Sequence, residues 1–437
     1  VSTAQRRALV VWGVAVLVYL LAVFHRSALG VAGLQAADRF HIGAAALGVF
    51  TVVQIGVYAL MQVPTGMLVD RFGPRRVLTA ALLLQGVGQV LFAVAESYPL
   101  ALVARVVVGV GDALSFVSVL RLVAAHFSAR RYALLALVTA AMGSIGNLAA
   151  TIPLNLLLTH AGWTTTFAVT GIGTALYALV VALRVRDVPD GHPPHRAEAQ
   201  SLREVLAQVR HAWAVAGTRL GFWVHFSTMF APSVLGLLWG YPYLVRVHGM
   251  SGPQAGGVLS LIVVVAGLLS PVLGQVIGRR PEWRLPLVAA YLGWALVVWA
   301  VLLGLPRPPV PLVVVGFASL AIGNPMSAVS FALARDYNPL RRVGTATGVV
   351  NVGGFAAITV TSLAIGLLIG GDTADAGPEQ FRVAFLAIVA VLLLGAYRTA
   401  VWWRRARAEV FAAVERGEQV PVQIRRRAWD LRQAVSS

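Results

Sequence analysis

The sequence predicts an all-α integral membrane protein, with twelve transmembrane helices arranged as two pseudo-symmetric six-helix bundles. Three observations lead there. Of 437 residues, 58% are hydrophobic and 12% charged, whereas soluble domains carry about 25% charged residues. The apolar residues gather into twelve runs of the roughly 20 residues that a spanning helix requires. The basic residues, all 35 of them arginine, cluster at alternate ends of those runs.

The first run, 8–32, carries His25 and Arg26. It lacks a small-residue cleavage site after a short apolar core, so it reads as a retained helix and not a signal peptide. The second, 44–69, places Gln54, Tyr58 and Gln62 four residues apart, which makes one polar stripe on a helix. The third covers 77–95. The fourth, 100–126, holds Arg105 and Asp112, and the fifth, 132–157, holds Asn147. The sixth, 164–184, closes the first half. A longer break follows, with Pro189, Pro193, Pro194 and mixed charges.

The seventh run, 220–245, contains His225 and ends on Trp239, Tyr241 and Tyr243, which read as interface aromatics or an external gate. Runs at 254–277, 285–305, 310–333, 343–370 and 381–403 complete the set, with Asn324 in the tenth and Asn351 in the eleventh. Short connections make sequence neighbours antiparallel. The organisation is therefore an N-terminal bundle (1–186), a cytoplasmic linker (187–215), a C-terminal bundle (216–403) and a basic cytoplasmic tail (404–437). Two readings stand for the tail: an amphipathic helix on the anionic leaflet or a partly disordered segment.

With the N-terminus inside, 27 arginines fall in internal loops and tails, and only Arg39, Arg246, Arg307 and Arg382 fall outside. That asymmetry satisfies the positive-inside rule and makes both termini cytoplasmic. The formal charge of +18 is then mostly topology and not a nucleic-acid footprint. Cysteine is absent, which excludes disulfides and thiolate chemistry. No phosphate-cradling Gly-x-x-x-x-Gly-Lys loop is present, so ATP-driven transport by this chain alone is excluded. No side-chain set has spacing suited to catalysis, so the protein reads as a non-enzyme without metal or cofactor. A repeat is visible. Gly66 to Arg71 after the second run has a counterpart in Gly274 to Arg279, offset by 208, and Arg130-Arg131 has one in Arg341-Arg342, offset by 211. Parallel repeats of this kind bind substrate near the membrane midplane, between halves that rock around it.

The loop Gly66-Met-Leu-Val-Asp70-Arg71-Phe72-Gly73-Pro74-Arg75-Arg76 resembles the loop signature of the major facilitator superfamily. The twelve runs, linker and repeat extend that resemblance over nearly the whole chain. It implies a secondary transporter whose loop gates the cytoplasmic side, with Gly66, Asp70, Arg71, Gly73, Arg75 and Arg76 as gate residues. It further implies that Asp70 sits at the N-terminus of the eleventh helix, where the dipole favours a carboxylate, and that Arg71 and Arg75 pair across the loop. The second copy has Gly278 in place of the acid, which implies weaker gating there.

Within the membrane, Tyr19 to Ala32, Tyr58 to Gly66, and Arg105-Val-Val-Val-Gly109-Val-Gly111-Asp112 are similar to the first, second and fourth helices of the anion:cation symporter branch. The branch implies import of small organic anions with protons or sodium, or export from vesicles. His25 stands where the branch commonly has an acid, which leaves the number and type of coupled ions open.

Ionisable groups in hydrocarbon cost a few kcal/mol each and mark function by default. Arg26, Arg105 and Asp112 lie deep in the first and fourth spans. A guanidinium fork matches a carboxylate bidentately, so Arg26 is the expected anion anchor. Arg105 is a second substrate contact. Asp112 is the expected proton site, with His25 as a second carrier. The competing reading is a permanent Arg105–Asp112 structural pair, with His25 bonded to backbone. Tyr58 and Gln62 are substrate contacts or helix–helix hydrogen bonds. Asn351 and His225 read either as contacts for the other end of the substrate or as structural groups.

The leading function is proton-coupled symport of a small organic anion, a sugar acid or monocarboxylate, by alternating access in a bacterial inner membrane. The chain reads as a monomer surrounded by lipid. Alternatives are proton-coupled export of drugs or metabolites and organic phosphate exchange. A non-transporting sensor is disfavoured by the intact gating loop.

Overall fold

The computed structural model describes residues 3–42, 44–151, 153–189, 202–369 and 377–418, and all regular structure among them is helical. Residues 190–201 of the linker and 419–437 of the tail, including Arg425, Arg426, Arg427 and Trp429, lie outside the described residues.

Helices α1 (Thr3–Phe40), α2 (Ala44–Phe72), α3 (Pro74–Val94), α4 (Tyr98–His126), α5 (Ala129–Thr151) and α6 (Pro153–Arg184) correspond to the first six runs. Their ends follow local chemistry. Gly73 takes φ 81°, a conformation that costs glycine least, and turns the chain between α2 and Pro74. Proline opens α3 because its missing N–H would be unsatisfied there anyway. Gly162, at φ 73°, kinks α6.

The linker is not wholly irregular: α7 (Leu202–Ala214) is a helix within it. The seventh run becomes α8 (Ala216–Val234), a π-helical turn at Leu235–Trp239, and α9 (Gly240–His248). Pro232 lies just before the π turn and removes a backbone donor. Trp239 and Tyr243 are buried, and Tyr243 packs on Phe317, Phe381 and Phe385. These two are core residues and not interface aromatics, whereas Tyr241 is exposed.

Next come α10 (Gly252–Arg279) and α11 (Arg284–Gly304), the former begun by a capping box of Ser251 and Gln254. The tenth run is broken into α12 (Val310–Leu320), α13 (Gly323–Met326) and α14 (Ala328–Tyr337). Here the Tyr291 hydroxyl is 3.2 Å from the Leu320 carbonyl and 3.4 Å from that of Thr228. A break inside a membrane helix is tolerated when side chains re-satisfy freed backbone groups in this way. Finally α15 (Val343–Ile369) and α16 (Pro378–Glu415) follow. The basic residues 404–415 continue α16, so the described part of the tail is an extension of the twelfth run.

Ten helices among the described residues are long and apolar enough to cross a membrane. The two expected spans outside that set are the second and seventh. The second is the continuous helix α2, and the seventh is divided at its π turn.

The chain forms two compact units. The first comprises residues 1–128, 138–209 and 340–348; the second comprises 129–137, 210–339 and 349–437. In the first unit, α3 lies against α4 and α6 through glycine contacts: Gly88 faces Val108, Gly111 faces Gln85, and Gly86 faces Gly171. Small residues permit such approach where lipid provides no hydrophobic drive. An aromatic cluster of Phe40, Phe50, Phe92, Trp163 and Phe167 fills its interior. In the second unit, Phe230, Trp299, Phe317, Phe381 and Phe385 form the corresponding core.

Candidate functional site

The centre of the first unit is an ion pair between α1 and α4. Arg26 donates from Nε to Asp112 Oδ2 at 2.7 Å and from Nη2 to Oδ1 at 2.6 Å, a bidentate fork. The Arg26 side chain is 29% exposed, and that of Asp112 is fully buried. The Arg26 guanidinium also lies 4.5 Å from the centroid of the Tyr58 ring on α2, within cation–π range. One edge of the guanidinium is thus spent on Asp112, while the Arg26 side chain is partly exposed.

Arg105 has a different role. It is fully buried and donates to the main-chain carbonyls of His25 and Arg26, at 3.2 and 3.4 Å from Nη2, and to the Gln54 side chain. It braces the backbone that carries Arg26 and leaves no surface for a substrate in this structure. The expected alternative of an Arg105–Asp112 pair does not form; the carboxylate goes to Arg26.

His25 points toward α6, with Nε2 2.7 Å from Thr174 Oγ1. The Thr174 hydroxyl also lies 2.9 Å from the Thr170 carbonyl on its own helix. His25 Nδ1 is buried without a hydrogen-bond partner. Gln62 donates to the Tyr58 carbonyl at 3.0 Å along its own helix.

A second cluster in the first unit surrounds Asp70. Its carboxylate accepts from the Gly344 N–H at 3.0 Å, the Thr345 N–H at 2.6 Å and the Thr345 hydroxyl at 2.8 Å. These donors belong to the first turn of α15, where unsatisfied N–H groups and the helix dipole favour an anion. Arg121 Nε on α4 lies 3.4 Å from Asp70 Oδ1, and both side chains are nearly buried. Gly66 is required by contact: a Cβ there would lie 2.8 Å from the Thr345 Cα. The side chains of Arg71 and Arg75 are not brought together. Arg71 lies over the Phe72 ring at 4.8 Å, and Arg75 uses its backbone N–H, 2.6 Å from Asp187 Oδ1. Arg76 is exposed.

In the second unit, His225 and Asn351 do meet, with Nε2 3.1 Å from Asn351 Oδ1, while Ser330 Oγ is 3.2 Å from His225 Nδ1. All three are buried. Arg284 pairs with Asp336 at 2.5 Å and donates to the Ile277 carbonyl at 3.0 Å. An acid at the end of α14 therefore supplies an ion pair near the stretch where Gly278 lacks one.

The model of the family described as Major Facilitator Superfamily matches residues 15–301. The chain belongs to the major facilitator superfamily. This superfamily member is a multi-pass membrane transporter and not an enzyme. It is 30% identical over 384 residues to the "Probable galactarate/D-glucarate transporter GarP" of Escherichia coli strain K12, covering 79% of this chain and 84% of that protein. It is 26% identical over 438 residues to the "Probable galactarate/D-glucarate transporter GudP" of Bacillus subtilis strain 168, covering 90% and 94%. Its fold is like that of the human organic anion transporter MFSD10, with TM-score 0.67 at 17% identity over 91% of this chain and 100% of that one.

Two participants escaped the reading of this superfamily member's sequence. Arg121 lies within the fourth run, and the default suspicion attached to any intramembrane arginine was signal enough. Thr345 carried no such mark, because a threonine at a helix start is ordinary.

Proposed function

We propose that this protein is a proton-coupled symporter of small organic anions, of the anion:cation symporter branch, working by alternating access. The observation that carries the reading is the bidentate Arg26–Asp112 pair, with Arg26 partly exposed. A substrate carboxylate has the same geometry as the Asp112 carboxylate and competes for the same fork. When the substrate takes Arg26, Asp112 is left buried without its counter-charge. A buried, unpaired carboxylate costs several kcal/mol and neutralises by taking a proton. Substrate and proton are thereby bound together. Arg105 holds the α1 backbone in place, and Tyr58 flanks the guanidinium. The similarity to probable galactarate/D-glucarate transporters supports a sugar-acid ligand.

The same reading takes α2 and α8–α9 as the spans completing twelve, in bundles 1–186 and 216–403. Both termini are cytoplasmic in a bacterial inner membrane, as the arginine asymmetry favours. The Asp70 cluster serves as a cytoplasmic latch.

Uptake into proteoliposomes under an imposed pH gradient tests the reading. Wild type accumulates a sugar acid when the outside is acidic. Arg26→Lys lowers affinity because the fork is lost, and Asp112→Asn abolishes proton-driven accumulation while retaining counterflow. Transport by both variants at wild-type levels refutes the assignment.

A further inference from the structure

We propose that the seam between α8 and α16 binds the phosphodiester headgroup of an anionic phospholipid, in the leaflet where α8 begins and the apolar run of α16 ends. The two helices pack against each other within the second unit. Arginine and tryptophan alternate along the seam. Arg219 of α8 lies 4.6 Å from the centroid of the Trp402 ring of α16, and Arg398 of α16 lies 4.9 Å from that of Trp223 of α8. The two contacts are four residues apart on each helix, which is about one turn or roughly 6 Å. Arg405 lies over the same Trp402 ring at 4.9 Å, from one turn further along α16.

Positive charge is in surplus there. Helix α8 carries no acidic residue, and α16 carries only Glu379 at its opposite end, Glu409 and Glu415. Glu409 faces Arg219 and the Ala216 N–H, and Asp336 is taken by Arg284. Among the described residues, Arg398 and Arg405 stack on tryptophan and have no carboxylate at ion-pair distance. An indole face attracts a cation but brings no formal charge. Donors are in surplus as well. Arg398 Nε and the indole N–H groups of Trp223 and Trp402 are buried without an acceptor, and Trp402 is 6% exposed. Unsatisfied buried donors are costly and rare. A phosphodiester brings acceptor oxygens and a negative charge together, which is what this seam lacks.

Position selects a lipid over a soluble anion. Trp223 and Arg398 lie inside the apolar runs 220–245 and 381–403, and Arg405 stands just past the end of the latter. Leu394, Arg398, Val401 and Arg405 follow one another at spacings of four, three and four, so they share one face of α16. The exposed surface of that face is apolar at its deeper end, where Leu394 is 47% and Tyr397 65% exposed. It turns basic at the membrane boundary, where Arg404 and Arg405 are exposed. Acyl chains fit the first part and a charged headgroup the second. Arg398 and Arg405 are roughly 10 Å apart along the axis, and long arginine stems snorkel over that distance toward one phosphate. Basic pockets between membrane helices hold anionic headgroups in this way. Choline and ethanolamine headgroups carry their own cation, so a zwitterionic lipid leaves the arginine charge uncompensated.

Thermal unfolding of the purified full chain in detergent tests the site, with dioleoyl phosphatidylglycerol, dioleoyl phosphatidylcholine or inorganic phosphate titrated in. A ligand of the folded state raises Tm in a saturable way. The expected result is a saturable rise with phosphatidylglycerol, and little or none with phosphatidylcholine or inorganic phosphate. Each arginine near an anionic headgroup contributes about fivefold in affinity. Arg398→Gln with Arg405→Gln therefore raises the half-saturating phosphatidylglycerol concentration about 30-fold. Arg6→Gln with Arg7→Gln removes the same charge from the exposed start of α1 and shifts it less than about threefold. Arg405→Gln alone, at an exposed position, raises it about fivefold and carries the test if the double variant does not fold. Equal stabilisation by phosphatidylcholine overturns the proposal, as does an unshifted Arg405→Gln. Loss in Arg6→Gln with Arg7→Gln as large as in the seam variant means diffuse surface charge and overturns it too. Stabilisation by inorganic phosphate alone replaces the lipid with a soluble anion and also overturns it. None of these measurements uses transport, so the symport reading and this site stand or fall separately.

Discussion

Asp70→Asn perturbs the cluster that ties residues 340–348 to α2, and its cost follows from the bonds around it. The carboxylate accepts three hydrogen bonds from Gly344 and Thr345 and lies beside Arg121. Hydrogen bonds to a charged group contribute about 1.5–3 kcal/mol each, against about 1 kcal/mol between neutral groups. An amide also presents a donor toward N–H groups where an acceptor stood, and it leaves the buried Arg121 without its counter-charge. A net loss of about 3 kcal/mol results, or roughly a hundredfold in the population in which this contact is open. The chain contains no cysteine, so a single reporter is clean. Thr347→Cys suits it, because Thr347 is 1% exposed and lies in the same segment. Maleimide labelling of that thiol is slow with Asp70 present and about a hundredfold faster in Asp70→Asn. A change of less than about threefold refutes the argument that the carboxylate holds the segment closed.

Gly66→Ala forces a Cβ against the backbone of Gly344 and Thr345, which cannot yield as a side chain can. It should destabilise by about 1–3 kcal/mol, seen as a lower Tm in detergent, while Gly13→Ala, with open space around it, is neutral or stabilising. Asp336→Asn strands the nearly buried Arg284 and should cost about 3–5 kcal/mol. Arg284→Met in the same chain recovers much of that loss, and a double-mutant cycle by thermal unfolding measures the recovery. Tyr58→Leu removes the ring beside Arg26 and should weaken substrate binding by about 0.5–2 kcal/mol. Tyr58→Phe keeps most of the affinity, which equilibrium binding of a labelled sugar acid would show.

The presence of spans was legible because a helix in lipid must satisfy its backbone internally, so apolar length encodes the span. Their ends were not: the fifth run reads to 157, whereas α5 stops at Thr151 and Pro153 opens α6. The exceptions have local causes. The seventh run reads as one span, yet Pro232 and the following π turn divide it. The tenth reads as continuous, yet it breaks where the Tyr291 hydroxyl from α11 reaches the Leu320 carbonyl. Spacing could have argued against an Arg105–Asp112 pair. Seven residues on a helix separate them by roughly 10 Å along the axis, beyond the reach of an ion pair without long side-chain excursions.

The sequence by itself determined the class of the molecule, its apolar spans, its arginine asymmetry and the loop from Gly66 to Arg76. These are properties of contiguous residues, written in length, composition and local spacing. Only the tertiary structure decided which arginine holds Asp112, which one braces the backbone, and which one stands beside Asp70. Arg26 and Asp112 are 86 positions apart, and Asp70 and Thr345 are 275 apart. Charge alone cannot choose among several equal guanidinium groups. Helix packing chooses, by bringing Arg26 within 3 Å of Asp112 while turning Arg105 toward carbonyls and Arg121 toward Asp70.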